Sequence, residues 1–593
     1  MIEPAQITLR DGQPFSERFA DIYHAADGAA EVARVFLEPG GFSDLLGKSQ
    51  LVRLGELGFG TGLNFIVAAA LCRQHGRRMH FVSFEAAPIA PAVFSALAAE
   101  RAHDNAMYRE LAEHYPPLVA GWHRRYLDGG RITLSLYWGD AATGLAEMQP
   151  QQKQPFDLWL LDGFAPDRNP QMWTASLFEY IAKLSHRGTC ITTFTAAGRV
   201  RRGLIAAGFE MRRVDQRPHK RESLAGHYQG SQPATWTPPP QVSVVGAGIA
   251  GCSLARHLAQ AGIEVRVFEK NATAAAGASS IPITVLHPRL LADTSVHADF
   301  RCHSYLYSSH FCSTIAGKDG PAVYRTGALQ IPSSNYSAER LAQVAATYAD
   351  SGNWLESLES AAASRRAGIA LADNALWFPH ACTINTPRLC NLLLDHPAIE
   401  LVTQAALTDW PDGPTVLACG NEACAFDGAQ YLELAAVSGQ LDVVQPAGTP
   451  AKINIAILGN GYLAPADGKL GVGATYEYRD WAPGAARQAN LQQLQPADYA
   501  WQASYRGVRS VSSDRTPIAG QLTELDGNGQ RDRYVSTGHG SMGTVSSHYG
   551  AALVTARITG EFAPMSLAIQ QALAPLRFRQ RQARRGYKFG SSA

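Results

Sequence analysis

The stretch that most restricts how this chain can fold is 241–270, QVSVVGAGIAGCSLARHLAQAGIEVRVFEK. Val242, Val244 and Val245 form a short β-branched strand that stops at Gly246, and the turn opens into a helix with Leu254, Leu258 and Ala261 on one face. A second strand over 264–268 then ends on Glu269. Gly246 permits the tight turn, Gly248 lets the backbone approach a pyrophosphate, and Gly251 lets helix and strand pack closely. Glu269 follows at the distance where an acid accepts hydrogen bonds from ribose hydroxyls. Strand, turn, helix, strand and acid in this order predict a dinucleotide-binding unit, and its position in mid-chain leaves room for a complete domain before it.

Composition adds bounds. The chain has 593 residues, 17% of them charged and 46% hydrophobic, and a formal net charge of +1, so global charge neither requires nor excludes a polyanionic partner. Nine cysteines form no CxxC pair and no basic, apolar leader opens the chain, which favours reduced thiols in a cytoplasmic protein without a metal centre. No apolar run approaches the length of a membrane span. The proline-rich stretch 230–241, GSQPATWTPPPQ, predicts an extended linker and a division into domains 1–235 and 236–593.

In the front part, a strand over 51–57 leads into Glu56, Gly58, Gly60, Gly62 and Asn64, the pattern ExGxGxGxN before a helix. Alternate glycines mark a backbone that a ligand approaches closely. Strands over 79–85 and 131–137 bring Glu85 and Asp140 to carboxyl ends, where ligands of parallel sheets bind. The apolar strand 156–161 ends in Asp162-Gly163-Phe164-Ala165-Pro166. Asp162 can cap the turn before the next helix; resemblance to class I S-adenosylmethionine-dependent methyltransferases, in which the acceptor meets the methyl group at this position, implies instead that it holds or deprotonates an amine. Between 199 and 221 eight Lys or Arg stand against two acids, Glu210 and Asp215, a patch for RNA phosphates or a solvated face.

These front motifs resemble class I S-adenosylmethionine-dependent methyltransferases, which implies a methyl donor over the glycine loop, its ribose on Glu85 and its adenine near Asp140. In the back part, Ser279, Ser280, Leu286-His287-Pro288 and the segment ending in Gly420 resemble the glycine and D-amino acid oxidases, which implies FAD. Val437-Ser438-Gly439-Gln440-Leu441 resembles a flavin-proximal turn of those oxidases. Residues 322–408 are read as the substrate lobe, and 470–476 as a strand on its substrate side. Arg509 is either a clamp for a substrate carboxylate or a structural salt bridge. Gly538-His539-Gly540-Ser541-Met542-Gly543 leads a helix whose positive end suits a reduced flavin, with Gly540 and Gly543 near the cofactor and His539 as a catalytic base or, preferably, a residue positioning the ring. The tail 577–588 carries six basic residues and no acid; it suits an RNA backbone, with Tyr587 or Phe589 stacking on a base, or it is a solubilising tail.

The motifs ELGFGTGLNF, LLDGFAPDRNPQMWT, FTAAGRVRRGL and HKRES, followed by the GAGIAG half, together resemble the bacterial bifunctional enzymes that complete 5-methylaminomethyl-2-thiouridine at the tRNA wobble position. The resemblance implies an α/β protein: a Rossmann-like methyltransferase, then an FAD-binding Rossmann domain with a mixed α+β substrate lobe. It further implies the anticodon region of tRNA as substrate, oxygen as the electron acceptor, and catalysis carried by Asp162, Arg509 and His539. A glycine-type oxidase fused to a small-molecule N-methyltransferase is the alternative.

Overall fold

The computed structural model describes residues 2–586 apart from 11–12, 25–26, 102–104, 220, 232–235, 316–319, 350, 448–452, 480, 483, 495–498 and 523–531. The chain divides into two compact units, Met1–Thr237 with Asp350–Gly352 and Gly560–Ser566, and Pro238–Ala349 with Asn353–Thr559 and Leu567–Ala593. The linear division at 235/236 did not anticipate that a late segment belongs to the first unit.

The first unit opens with a small antiparallel sheet of β1 (Ile7–Arg10), β2 (Gln13–Ser16) and β3 (Asp21–Ile22). Its main sheet contains β4 (Leu51–Leu57), β5 (Arg78–Glu85), β6 (Gly121–Leu127), β7 (Ile132–Trp138), β8 (Phe156–Leu161), β9 (Ser185–Thr193), β10 (Phe209–Asp215) and β11 (Glu222–Tyr228). They lie in the order β10-β11-β9-β8-β4-β5-β7-β6. β9, β8, β4, β5 and β7 run parallel, and the remaining strands close the edges antiparallel. The chain steps from β4 to one side and later returns through β8 to the other, so the crevice of this sheet falls at the carboxyl ends of β4 and β8. Leu158, Trp159, Leu160 and Leu161 are all fully buried, as a central parallel strand requires. Gly55 makes room for that packing, because a Cβ there would lie 2.2 Å from the Trp159 indole.

The late segment completes this unit. Glu561 pairs with Arg53 at 2.7 Å and with His80 at 3.3 Å, and Phe562 packs on Trp122 with ring centroids 4.6 Å apart. The Arg53 guanidinium and a hydrogen bond from His80 hold the Glu561 carboxyl well below the usual carboxylate range despite its burial.

In the second unit six strands lie in the order Ile399–Val402, Glu264–Phe268, Gln241–Val245, Thr415–Leu417, Arg533–Thr537 and Ile518–Gln521, all parallel except the last. Helices Ile249–Gln260 and Gly543–Thr559 are joined by a hydrogen bond between Ser253 Oγ and His548 Nδ1, 2.7 Å. An eight-stranded sheet forms the other layer. Three expectations are corrected here. The lobe read as 322–408 is only part of that sheet, since five of its strands come from residues 434–512 and Ile399–Val402 belongs to the dinucleotide sheet. Val437–Leu441 is no turn: it lies inside the strand Leu434–Pro446, paired along its length with Tyr499–Ser512. The expected strand 470–476 runs only over Lys469–Gly473. Among the described residues no helix is long and apolar enough to cross a membrane, and no three metal-ligating side chains cluster.

Candidate active sites

At the carboxyl end of β4, Gly58, Gly60 and Gly62 all have positive φ, of 79°, 50° and 73°, a backbone that favours glycine. A Cβ on Gly58 would meet the Gly163 backbone at 3.0 Å, so this glycine lets the β4 and β8 loops touch. Glu85 ends β5 beside them. Its Oε2 accepts from Gly60 N at 3.0 Å and its Oε1 from Ala87 N at 2.9 Å, while burial raises its pKa. Asp140 caps helix Ala141–Met148, accepting from Thr143 N at 2.9 Å, so its carboxylate holds the turn beneath the place where adenine was expected.

Glu56 and Asn64, expected at the cofactor, are tied to each other and to Asp162. Asn64 Nδ2 donates one hydrogen bond to Glu56 Oε1 (2.9 Å) and one to Asp162 Oδ2 (2.7 Å). Ser83 Oγ donates to the other Glu56 oxygen at 2.6 Å. Glu56 is 1% exposed, and burial pushes its pKa well up, with Asp162 and Glu85 adding repulsion against the relief from Ser83 and Asn64. A buried row therefore runs Ser83–Glu56–Asn64–Asp162 and fixes the outer carboxylate. Gly163 N closes the turn on Asp162 Oδ1 at 2.8 Å, so Asp162 both shapes its loop and ends the row. Sequence reading also missed what lies over this loop. Phe19 stacks on Phe164 at 4.4 Å, Tyr23 meets it edge-on at 5.3 Å, and Arg168 donates to Phe19 O at 3.1 Å. No motif marked 17–24, and only the pairing of β1 to β3 brings it there.

In the second unit the GAGIAG glycines fit the roles read for them. Gly246 has φ 105°, and a Cβ on Gly251 would stand 1.8 Å from Gly246 O, inside the helix–strand contact. A Cβ on Gly248 would approach Ser279 Oγ at 3.3 Å, and that hydroxyl accepts from Ile249 N at 2.9 Å at the helix start. Glu269 accepts from Ala247 N at 2.8 Å and from Asn271 N at 2.9 Å. These residues open on a cavity of about 1110 Å³. Gly246, Gly248, Glu269, Ser279, Gly420, Arg509, His539, Gly540 and Gly543 line it, whereas Gly251 and Ser280 stand behind the lining. The volume exceeds the roughly 300–1,000 Å³ of common ligand sites, and the exposed helix start at one wall suits a pyrophosphate. These residues fit an FAD.

Arg509 lies over the Tyr476 ring at 4.5 Å and donates to Thr475 O at 3.1 Å. Gly439 is needed beneath it, since a Cβ there would stand 2.1 Å from Arg509 Nη1. Among the described residues no carboxylate lies within ion-pair distance of Arg509, whereas Arg506 on the same strand pairs with Glu477. His539 has Ser546 Oγ 2.9 Å from Nδ1 and Ser536 Oγ 3.3 Å from Nε2. Burial lowers its pKa to about 4. A neutral ring held at both nitrogens suits a positioning residue better than a base.

Some cations of the basic stretches have acid partners. Arg199 pairs with Asp167, Arg213 with Glu222 and Arg217 with Asp215. In the tail, helix Leu576–Arg584 pairs Arg577 with Asp514 at 2.9 Å and Arg581 with Glu433, so these two clamp their own unit. Lys220, Tyr587, Lys588 and Phe589 lie outside the described residues.

Comparison with known proteins agrees with this division. Residues 102–229 match the family model for S-adenosyl-L-methionine-dependent methyltransferases, and 241–557 that for FAD dependent oxidoreductases. The tRNA 5-methylaminomethyl-2-thiouridine biosynthesis bifunctional protein MnmC of Stutzerimonas stutzeri is 32% identical over 97% of this chain and 97% of its own length. Its counterpart in Pseudomonas putida KT2440 is 32% identical over 99% of each. A solved glycine oxidase from Geobacillus kaustophilus matches 57% of this chain and 98% of its own, at 20% identity and a TM-score of 0.48.

Proposed function

Because this chain belongs to the family of bifunctional tRNA 5-methylaminomethyl-2-thiouridine biosynthesis proteins, we propose that its second unit removes the carboxymethyl group from 5-carboxymethylaminomethyl-2-thiouridine in the tRNA anticodon, and that its first unit methylates the amine so released. Bound FAD would accept a hydride from the carbon beside the carboxylate, and bound S-adenosylmethionine would supply the methyl group. Water then splits the substrate's C=N bond, leaving the aminomethyl nucleoside and glyoxylate, while oxygen takes the two electrons and leaves as hydrogen peroxide.

The chain's own residues support each half. The observation that carries the reading is Arg509, a cation in the flavin-type cavity without an acid partner among the described residues, facing a reaction whose substrate bears a carboxylate. A guanidinium can hold it through two parallel hydrogen bonds. His539, neutral between two serine hydroxyls, fixes the loop 538–543 at the start of helix Gly543–Thr559. In the first unit Glu85 and the glycine loop would seat the methyl donor, and Asp162 would accept the amine's proton, without which nitrogen has no lone pair for attack. Nine free cysteines are consistent with a cytoplasmic enzyme.

Nucleoside mass spectrometry on tRNA bearing the carboxymethylaminomethyl group tests the proposal. Purified protein should give the aminomethyl nucleoside without S-adenosylmethionine and the methylaminomethyl nucleoside with it. Unchanged tRNA alongside rapid oxidation of free glycine would refute it in favour of a small-molecule oxidase.

A further inference from the structure

Part of each positive stretch visible in the sequence pairs with its own acids, whereas a cationic cluster at the cavity pairs with none among the described residues. Arg289 follows strand Thr284–Leu286, Arg301 lies in helix Val296–Ser313, and Arg340 lies in helix Ala338–Thr347. These three separate elements bring their guanidinium groups to one wall of the cavity, beside Ser333, Asn335 and Tyr336. Arg301 Nη1 donates to Arg289 O at 3.0 Å, and the Arg340 guanidinium lies 5.4 Å from the Tyr336 ring centre.

Two observations say that this wall expects an anion. Among the described residues none of the three arginines has a carboxylate within ion-pair distance. Asp293, an acid whose charge reaches Arg301 and Arg340, accepts from Ser295 N at 2.9 Å. The Tyr336 hydroxyl is buried without a hydrogen-bond partner in the middle of the cluster. Burial lowers the pKa of Arg301, and the neighbouring Arg289 and Arg340 lower it further. Three like charges gathered around an orphan hydroxyl raise the energy of the empty site and lower that of an anion bound there.

We propose that Arg289, Arg301, Arg340 and Tyr336 form a subsite for a backbone phosphate of the RNA whose modified base enters the cavity. A phosphodiester offers two charged oxygens and accepts from several guanidinium groups at once. The other anions at this cavity are the FAD pyrophosphate, which the start of helix Ile249–Gln260 answers, and the substrate's own carboxylate, which Arg509 answers. The subsite rests on the proposed tRNA substrate and adds where the RNA chain is held while the base reacts.

The test uses full-length, FAD-loaded enzyme and two anticodon stem-loop RNAs, one with an unmodified wobble uridine and one with the carboxymethylaminomethyl group. Arg289→Gln/Arg340→Gln, both at exposed positions, and Arg301→Gln are compared with wild type by fluorescence anisotropy over a series of salt concentrations. Both variants should bind both RNAs about tenfold or more weakly, with the slope of log K against log salt shallower by roughly 0.7 for each phosphate no longer neutralised, and with flavin content unchanged. Weakening confined to the carboxymethyl-bearing RNA would assign the cluster to the substrate carboxylate and overturn the proposal. So would undiminished RNA affinity, or loss of flavin from the variants. A wild-type enzyme that bound neither RNA would remove the tRNA reading itself, and the subsite with it.

Discussion

Each unit starts its site with a glycine turn at the carboxyl end of a parallel strand, and the two then diverge in charge. In the first unit carboxyls converge: Glu56 and Asp162 share the Asn64 amide, and Glu85 caps the glycine loop. Phe19 and Tyr23 close over Phe164 beside them. In the second unit the turn opens on a cavity of about 1110 Å³, into which Arg509 brings positive charge and His539 a neutral ring. The difference follows from the chemistry. Methyl transfer to an amine needs a proton acceptor, whereas oxidation beside a carboxylate needs a cation for that carboxylate.

The largest effect should come from Gly251→Val. Its side chain would occupy the space of Gly246 O, so flavin absorbance should vanish while methylation of an aminomethyl tRNA persists. Retained flavin would show that the helix can shift without losing the site. Asn64→Ala sharpens the contrast from the other side, because the row that holds Asp162 would break at its middle. The rate constant for methyl transfer should fall about 10²-fold, with S-adenosylmethionine affinity and flavin oxidation unchanged; a matching loss of cofactor affinity would instead make Asn64 a direct ligand. Arg509→Lys keeps the charge but loses the fork, and should lower kcat/KM for the oxidation by about tenfold, roughly 1.4 kcal/mol, without touching methylation.

Acid should separate the units by a smaller margin. Burial lowers the pKa of His539 to about 4 and those of His287 and His548 to about 3. The folded rings stay neutral while the unfolded chain takes up protons below pH 6.5, so each histidine withdraws stability as pH falls from 6.5 toward those values, by roughly 1.4 kcal/mol per pH unit. The first unit carries His80 with a lowered pKa, and Glu561 with a depressed one whose contribution is kept until pH falls below the ordinary carboxylate range. Flavin release on acidification should therefore precede loss of S-adenosylmethionine binding, as followed by flavin fluorescence and calorimetry. The reverse order would mean that other groups dominate.

Both glycine turns were legible because their signals are local: strand, turn and helix lie within some 30 residues, and each glycine answers a contact made by near neighbours in sequence. What escaped was set by distant pairing. Glu561 meets Arg53 across most of the chain, and nothing near either residue announces the other. Val437 to Leu441 resembles a flavin-proximal turn of the oxidases, yet Gly439 is there to admit the Arg509 guanidinium against a paired strand. Tail arginines looked like an RNA surface because their acids, Asp514 and Glu433, are far away in sequence. Glu56 and Asn64 were found by motif, but only the fold shows that they face Asp162.

The most direct test of two chemistries in two units is nucleoside mass spectrometry on carboxymethylaminomethyl tRNA treated with Asp162→Asn enzyme, both cofactors present. The account predicts normal removal of the carboxymethyl group and accumulation of the aminomethyl nucleoside, with methylation slowed about 10² to 10⁴-fold. Methylaminomethyl nucleoside formed at the wild-type rate would contradict it.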